Sequence, residues 1–286
     1  MLSALQGVTA ALYVAVAPLC AAVGVALARR RMADAASRRA VRLFAVFWLA
    51  LAADALLGAL ELALVGAGFA SAGLALGFSV VAFLAVSLMM WGLLHYLLFL
   101  FTGRPGWLWP LAAFYALAFA TSVVLVASWE PTGLEPTRWG VEVDYAAQPT
   151  PAAGLFLSLA FLLPPILGAL AYGSFLPRVG DATRRYRIAL VSGGIFLWFA
   201  TSVVLGARPL ADDDAVQGIG RLVTLVSILA VAAAYFPPPF ARRRWGIESL
   251  ADEGGHAPRP GLDGPEEQKR KAARAAHLQN RVRDLI

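Results

Sequence analysis

Seven times along this chain a run of about 20 or more mostly apolar residues recurs, and that recurrence restricts the fold more than any other feature. A helix rises about 1.5 Å per residue, so about 20 residues cross a hydrocarbon core roughly 30 Å thick. The runs span Val8–Ala28, Val41–Leu64, Leu74–Phe101, Trp107–Ser128, Ala152–Phe175, Ile188–Ala207 and Gly218–Pro237. Hydrophobic residues make up 59% of the 286 positions and charged residues 15%, against about 25% charged in a soluble domain. A soluble fold of this length cannot cover that much apolar surface. A bilayer can, because the medium around each helix is itself apolar. The expected fold is an all-α membrane protein, a bundle of seven transmembrane helices with the lipid bilayer as its first partner.

The arginines orient the bundle, since loops on the cytoplasmic face carry the basic excess. The first connection holds Arg29, Arg30, Arg31, Arg38 and Arg39, the third Arg104, and the fifth Arg178, Arg184, Arg185 and Arg187. Arg242, Arg243 and Arg244 follow the last span. With seven crossings all four segments share one side. The other side has the Gly- and Ala-rich stretch 65–73, the acidic stretch 129–151 and Asp212-Asp213-Asp214. This alternation predicts the N-terminus outside, the C-terminus in the cytoplasm, and residence in the inner (plasma) membrane. The net charge of +6 is carried almost wholly by arginine. Because those arginines cluster at helix ends, Arg29, Arg30, Arg31, Arg184, Arg185, Arg242, Arg243 and Arg244 are expected to meet anionic lipid headgroups, and no nucleic-acid partner is expected. The first run has no basic residues before it and Arg29-Arg30-Arg31 after it, the reverse of a cleavable signal, so it is expected to stay as a helix.

Three regions follow: a seven-helix domain over 1–240, a cytoplasmic linker over 241–264 rich in Gly, Pro and acid, and a basic amphipathic C-terminal helix over 265–286. Pro265 and the following Glu266 and Glu267 suit a helix start. Leu278, Val282, Leu285 and Ile286 then share one face, which suits either the inner leaflet surface or a partner helix. Pro164-Pro165, in mid-span, removes backbone donors and predicts a kink whose freed carbonyls need neighbours. Gly24 and Gly193-Gly194 allow close helix approach. Most tryptophans, Trp91, Trp107, Trp109, Trp129, Trp139 and Trp245, fall at span ends, where aromatic belts form.

Charges inside spans are the strongest functional pointers, because burying them costs several kcal/mol unless they are paired or wet. Asp54 lies near the middle of the second span. Glu61 is seven residues on, only about 20° around the helix. Arg221 enters the outer half of the seventh span, where an ion pair with Glu61 is allowed, and Trp48 and Trp198 are deep enough to line a pocket. Asp54, Glu61, Trp198 and Arg221 are the candidate ligand site, with an inter-helix lock, or charges snorkelling to the interface, as the structural alternatives. The enzyme classes fit poorly. No span contains a lysine, so a retinal Schiff base has no anchor. Intramembrane metal hydrolysis lacks a His, Asp and Glu cluster. Leu190 stands where a Gly-x-Ser-Gly protease motif would need its first glycine before Ser192. His95 has no second intramembrane histidine with which to hold a haem. No catalytic residue, metal or cofactor is expected, and Cys20, the single cysteine, excludes an internal disulfide.

The segments "WGLLHYLLFLFTGRPGWLW", "WEPTGLEPTRWGVEVDYA" and "LPRVGDATRRYRIALVSGG" resemble in layout the bacterial seven-helix sensor modules that stand N-terminal to histidine kinase or diguanylate cyclase domains. The resemblance covers residues 8–240. It implies a non-enzymatic sensor passing a signal to a separate cytoplasmic partner, or a module that has lost its output, with no kinase domain expected. His277, in "RAAHLQNRVRDL", is loosely similar to a phosphoacceptor region, a role not expected without an ATP-binding domain. An accessory or scaffold subunit of a larger membrane complex is the alternative, and a small-molecule transporter comes third.

Overall fold

The computed structural model describes residues 3–30, 35–102, 105–147, 150–205 and 214–247. It is an all-α bundle in which seven helical segments are long and apolar enough to cross a membrane, as in a multi-pass membrane protein. In chain order these are α1 (Ala4–Arg29), α2 (Ala35–Gly66), α3 (Ala72–Thr102) and α4 (Leu108–Ser128), then a fifth crossing made of α5 (Pro151–Leu157) and α6 (Leu163–Gly173), then α7 (Ala182–Leu205) and α8 (Asp214–Tyr235). A short α9 (Pro239–Trp245) follows. It overlaps the start of the expected linker, and the compact unit continues to Ile247, which is buried. The helix expected over 265–286 lies outside the described residues, as do Leu278, Val282, Leu285 and Ile286.

The central helix is α2. Phe44, Phe47 and Trp48 on it are almost fully buried, while leucines at many other positions of the bundle face outward. The outward leucines need no protein partner in a bilayer, where a lipid tail is as good a neighbour as another side chain. Without a hydrophobic force between helices, association relies on close packing, and glycine supplies it. A Cβ at Gly24 would meet the Leu49 side chain at 2.9 Å and Ala45 O at 3.2 Å, which fixes α1 on α2. A Cβ at Gly194 would meet Val231 at 2.6 Å and Ser227 O at 2.9 Å, which fixes α7 on α8. Gly193 points outward and has no such role.

The fifth crossing carries the expected irregularity, and its form is a π-helical turn, Ser158–Leu162, just before Pro164-Pro165. In a regular helix the N–H of residue 164 would bond to Ala160 O, and proline has none. The Tyr115 hydroxyl on α4 donates to Ala160 O instead, at 3.2 Å. Backbone carbonyls freed inside a bilayer need such a replacement.

Among the described residues, the polar stretch after α4 forms the two-stranded sheet. Pro131–Pro136 (β1) and Val141–Tyr145 (β2) form an antiparallel hairpin with Leu134 opposite Val143. Val141, Val143 and Tyr145 alternate with the exposed Glu142 and Asp144, the period of two that a half-buried strand requires. The apolar side packs down on the bundle: Leu134 meets Ala75 and Phe78 of α3, with Leu57, Leu64 and Val65 of α2 around them. The connection between α2 and α3 adds an edge, with the Leu134 N–H donating to Ala70 O at 3.3 Å. Entry into β1 bends at Glu130, which adopts φ 53°.

The opposite end of the bundle carries a cluster of ring contacts. Phe44 stacks on Tyr96 at 4.3 Å and lies 5.8 Å from the Tyr235 ring. Tyr96 and Tyr235 share a hydrogen bond, and Arg187 Nε donates to Ala234 O at 3.3 Å. Trp245 of α9 lies 6.3 Å from Tyr186 and 6.1 Å from Phe240.

Candidate functional site

The N-terminus of α1 begins the site. Ser3 and Gln6 form a capping box: Gln6 N–H donates to Ser3 Oγ at 3.1 Å and Ser3 N–H to Gln6 Oε1 at 2.8 Å. The same glutamine reaches the hairpin, its Nε2 donating to Thr137 O at 2.6 Å and Gly140 O at 3.4 Å. Ser3 Oγ also donates to Arg138 O at 3.1 Å. One helix cap therefore ties the hairpin tip over the bundle.

Beneath the hairpin lie two clefts. The first, about 290 Å³, is lined by Tyr13 of α1, by Asp54 and Glu61 of α2, by Phe78 and Ser79 of α3, and by Val143 of β2. The second, about 330 Å³, is lined by Thr9 and Tyr13 of α1, Asp54 of α2, Trp198 of α7, and Gln217 and Arg221 of α8. Both volumes lie at the lower edge of the range of small-molecule sites, about 300 Å³ and upward. Asp54 and Tyr13 belong to both clefts and form the wall between them. Tyr13 is seated there by a glycine, since a Cβ at Gly58 would come within 2.8 Å of its ring.

All four residues expected at the ligand site are thus brought to one region. The ion pair that spacing allowed between Arg221 and Glu61 is not formed, because Glu61 opens on the first cleft and Arg221 on the second. Arg221 is held from above instead: its guanidinium lies 5.9 Å from the Trp139 ring, and a Cβ at Gly140 would meet its Nη2 at 3.3 Å. Its Nε is buried without a hydrogen-bond partner. Above the first cleft, burial pushes the Tyr145 phenol upward in pKa. Its hydrogen bond with Ser79 opposes this, and the nearby Glu61 carboxylate adds to it.

Sequence reasoning missed the contribution of α1. Tyr13 and Thr9 are uncharged and sit in a run that reads as plain lipid-crossing helix, so only their polar atoms marked them. It also missed the hairpin, which supplies Trp139, Gly140 and Val143.

The remaining candidates separate cleanly. Arg29, Arg184, Arg185, Arg242, Arg243 and Arg244 are exposed at the end away from the hairpin, Arg30 is half-buried there, and Arg31 lies outside the described residues. Trp107, Trp109 and Trp245 face outward as belt residues do, whereas Trp129 is buried against Val126 and Ala153, and Trp91 Nε1 donates to Leu108 O at 3.3 Å. His95 is fully buried on α3. Ser192 Oγ donates to Ile188 O at 2.6 Å, an ordinary bond back into its own helix. No protein-family model, no curated protein and no solved structure matches the chain.

Proposed function

We propose that this chain is a non-enzymatic membrane receptor or sensor of the inner (plasma) membrane, with the N-terminus and hairpin outside and the C-terminus in the cytoplasm. The observation that carries the reading is the pair of clefts meeting at Asp54 beneath the hairpin. Charged side chains within membrane spans are costly and line functional cavities when they are retained. A ligand entering beside the hairpin would meet Trp198 on α7 and Arg221 on α8. These two helices are locked by the Gly194 contact and continue to the Arg187–Ala234 bond and the ring contacts of α9. Closing the cleft would shift α7 and α8 together and change how the basic end meets a cytoplasmic protein partner. A ligand shifts such an equilibrium only through its different affinity for the two states.

The test is purification from native membranes in mild detergent, followed by mass spectrometry of proteins and small molecules. The reading expects a bundle carrying a bound small molecule, with any cytoplasmic partner present below fixed ratio. Membrane partners recovered at fixed ratio, with no small molecule, would overturn it in favour of an accessory subunit.

A further inference from the structure

The two clefts differ in charge, and the difference selects a ligand class. Among its lining residues the first presents two carboxylates and no cation. The second presents one carboxylate, Asp54, and one guanidinium, Arg221, from α2 and α8, with polar Thr9, Gln217 and Thr224 and the Trp198 indole also in the lining. The two opposite charges face one cleft without pairing with each other, and Arg221 Nε is buried without a hydrogen-bond partner.

Resting on the receptor reading above, we propose that the second cleft binds a small zwitterion, a molecule carrying both an ammonium and a carboxylate group. The ammonium meets Asp54 and the carboxylate meets Arg221, whose planar fork suits a carboxylate. The Trp198 ring offers its face to the ammonium or to the carbon chain between the charges. A plain amine would leave Arg221 unmatched, and a plain carboxylate would leave Asp54 unmatched. In a site of low dielectric an unmatched charge is heavily penalised, so the cleft discriminates by requiring both. The cleft volume of about 330 Å³ suits a molecule of metabolite size rather than a peptide or a lipid. The hairpin closes over this end, with Trp139 and Gly140 covering the guanidinium.

The experiment uses the full chain in lipid nanodiscs, read by thermal unfolding and by titration calorimetry. The probes are the α-amino acids and the ω-amino acids of three to six carbons, each beside the amine and the carboxylate of matching chain length. At least one zwitterion is expected to raise the unfolding midpoint and to bind at least tenfold more tightly than either matched compound. Asp54→Asn and Arg221→Gln are each expected to remove that preference, while Glu142→Gln, an exposed hairpin carboxylate, keeps it. Size-exclusion profiles and far-UV circular dichroism confirm that the variants fold. Silence from every zwitterion overturns the proposal. So does an amine that binds as well as its zwitterion and ignores Arg221→Gln, although that result leaves the receptor reading standing. The receptor reading falls only on the purification result.

Discussion

The hairpin end and the basic end of this bundle solve opposite problems with the same helices. At the basic end Phe44, Tyr96 and Tyr235 fill the space between α2, α3 and α8, and the Tyr96–Tyr235 and Arg187–Ala234 bonds satisfy polar atoms close to the rings. At the hairpin end the same α2 carries Asp54 and Glu61 into open clefts, and α8 carries an Arg221 Nε with no hydrogen-bond partner. Close ring packing resists deformation, whereas a cleft that leaves room and unmatched charge can be completed by something else. On the receptor reading proposed above, the contrast would put recognition at the hairpin end and transmission at the basic end.

The largest test of that contrast is a pair of truncations on neighbouring helices. Phe44→Ala removes a ring buried on every side and should cost about 4 kcal/mol, in the usual range for buried aromatics. Phe78→Ala removes a ring that already borders the first cleft and should cost about half as much, because fewer contacts are lost. Denaturation in mixed micelles, followed by circular dichroism, measures both. Equal losses would mean that the hairpin end is packed as tightly as the basic end, and the contrast would fail.

The fifth crossing sharpens where the rigid region stops. Tyr115→Phe leaves Ala160 O without its donor opposite Pro164. Hydrogen bonds between transmembrane helices average about 0.6 kcal/mol and reach about 1.7, so a loss of about 1 kcal/mol is expected. A loss near zero would place the π turn in a segment that relaxes freely, and would extend the deformable region across α5 and α6.

How much of this was legible before any coordinates divides along the same line. The helices were legible because a bilayer imposes one requirement, a long apolar run, and every expected span overlaps an observed crossing. Asp54, Glu61, Trp198 and Arg221 were legible because charge and large aromatic surface are conspicuous in apolar spans. Which charge faces which cleft was not. Spacing along α2 fixes the angle between Asp54 and Glu61, but the place of Arg221 depends on α1 and the hairpin packing around it. The hairpin was partly legible: Val141-Glu142-Val143-Asp144-Tyr145 alternates with the period of a strand, yet it sits inside a stretch whose acids and prolines read as loop. Tyr13 and Gln6 could not have been chosen from the sequence, because their roles are set by Gly58 and by the carbonyls of Thr137 and Gly140.

A single-atom exchange, Gln6→Glu, has the smallest expected effect and bears most directly on how the hairpin tip is held. Gln6 does two jobs, closing the α1 cap through Oε1 and holding the hairpin tip through Nε2. Gln6→Ala loses both, and an N-terminal cap is worth about 1 kcal/mol or less when partly exposed. Gln6→Glu separates the jobs, because a glutamate at this position still accepts from Ser3 N–H but has no donor for Thr137 O or Gly140 O. The cap should therefore survive in Gln6→Glu while the clasp fails. Hydrogen exchange at residues 137–140 should rise by up to about tenfold in both variants, for a clasp worth about 1 kcal/mol. Exchange in the first turn of α1 should rise only in Gln6→Ala. If exchange at 137–140 stays at its native rate in both, Leu134 and its neighbours hold the hairpin without the clasp. The hairpin end would then be as fixed as the basic end, and a ligand would have to enter between helices rather than past a tip that lifts.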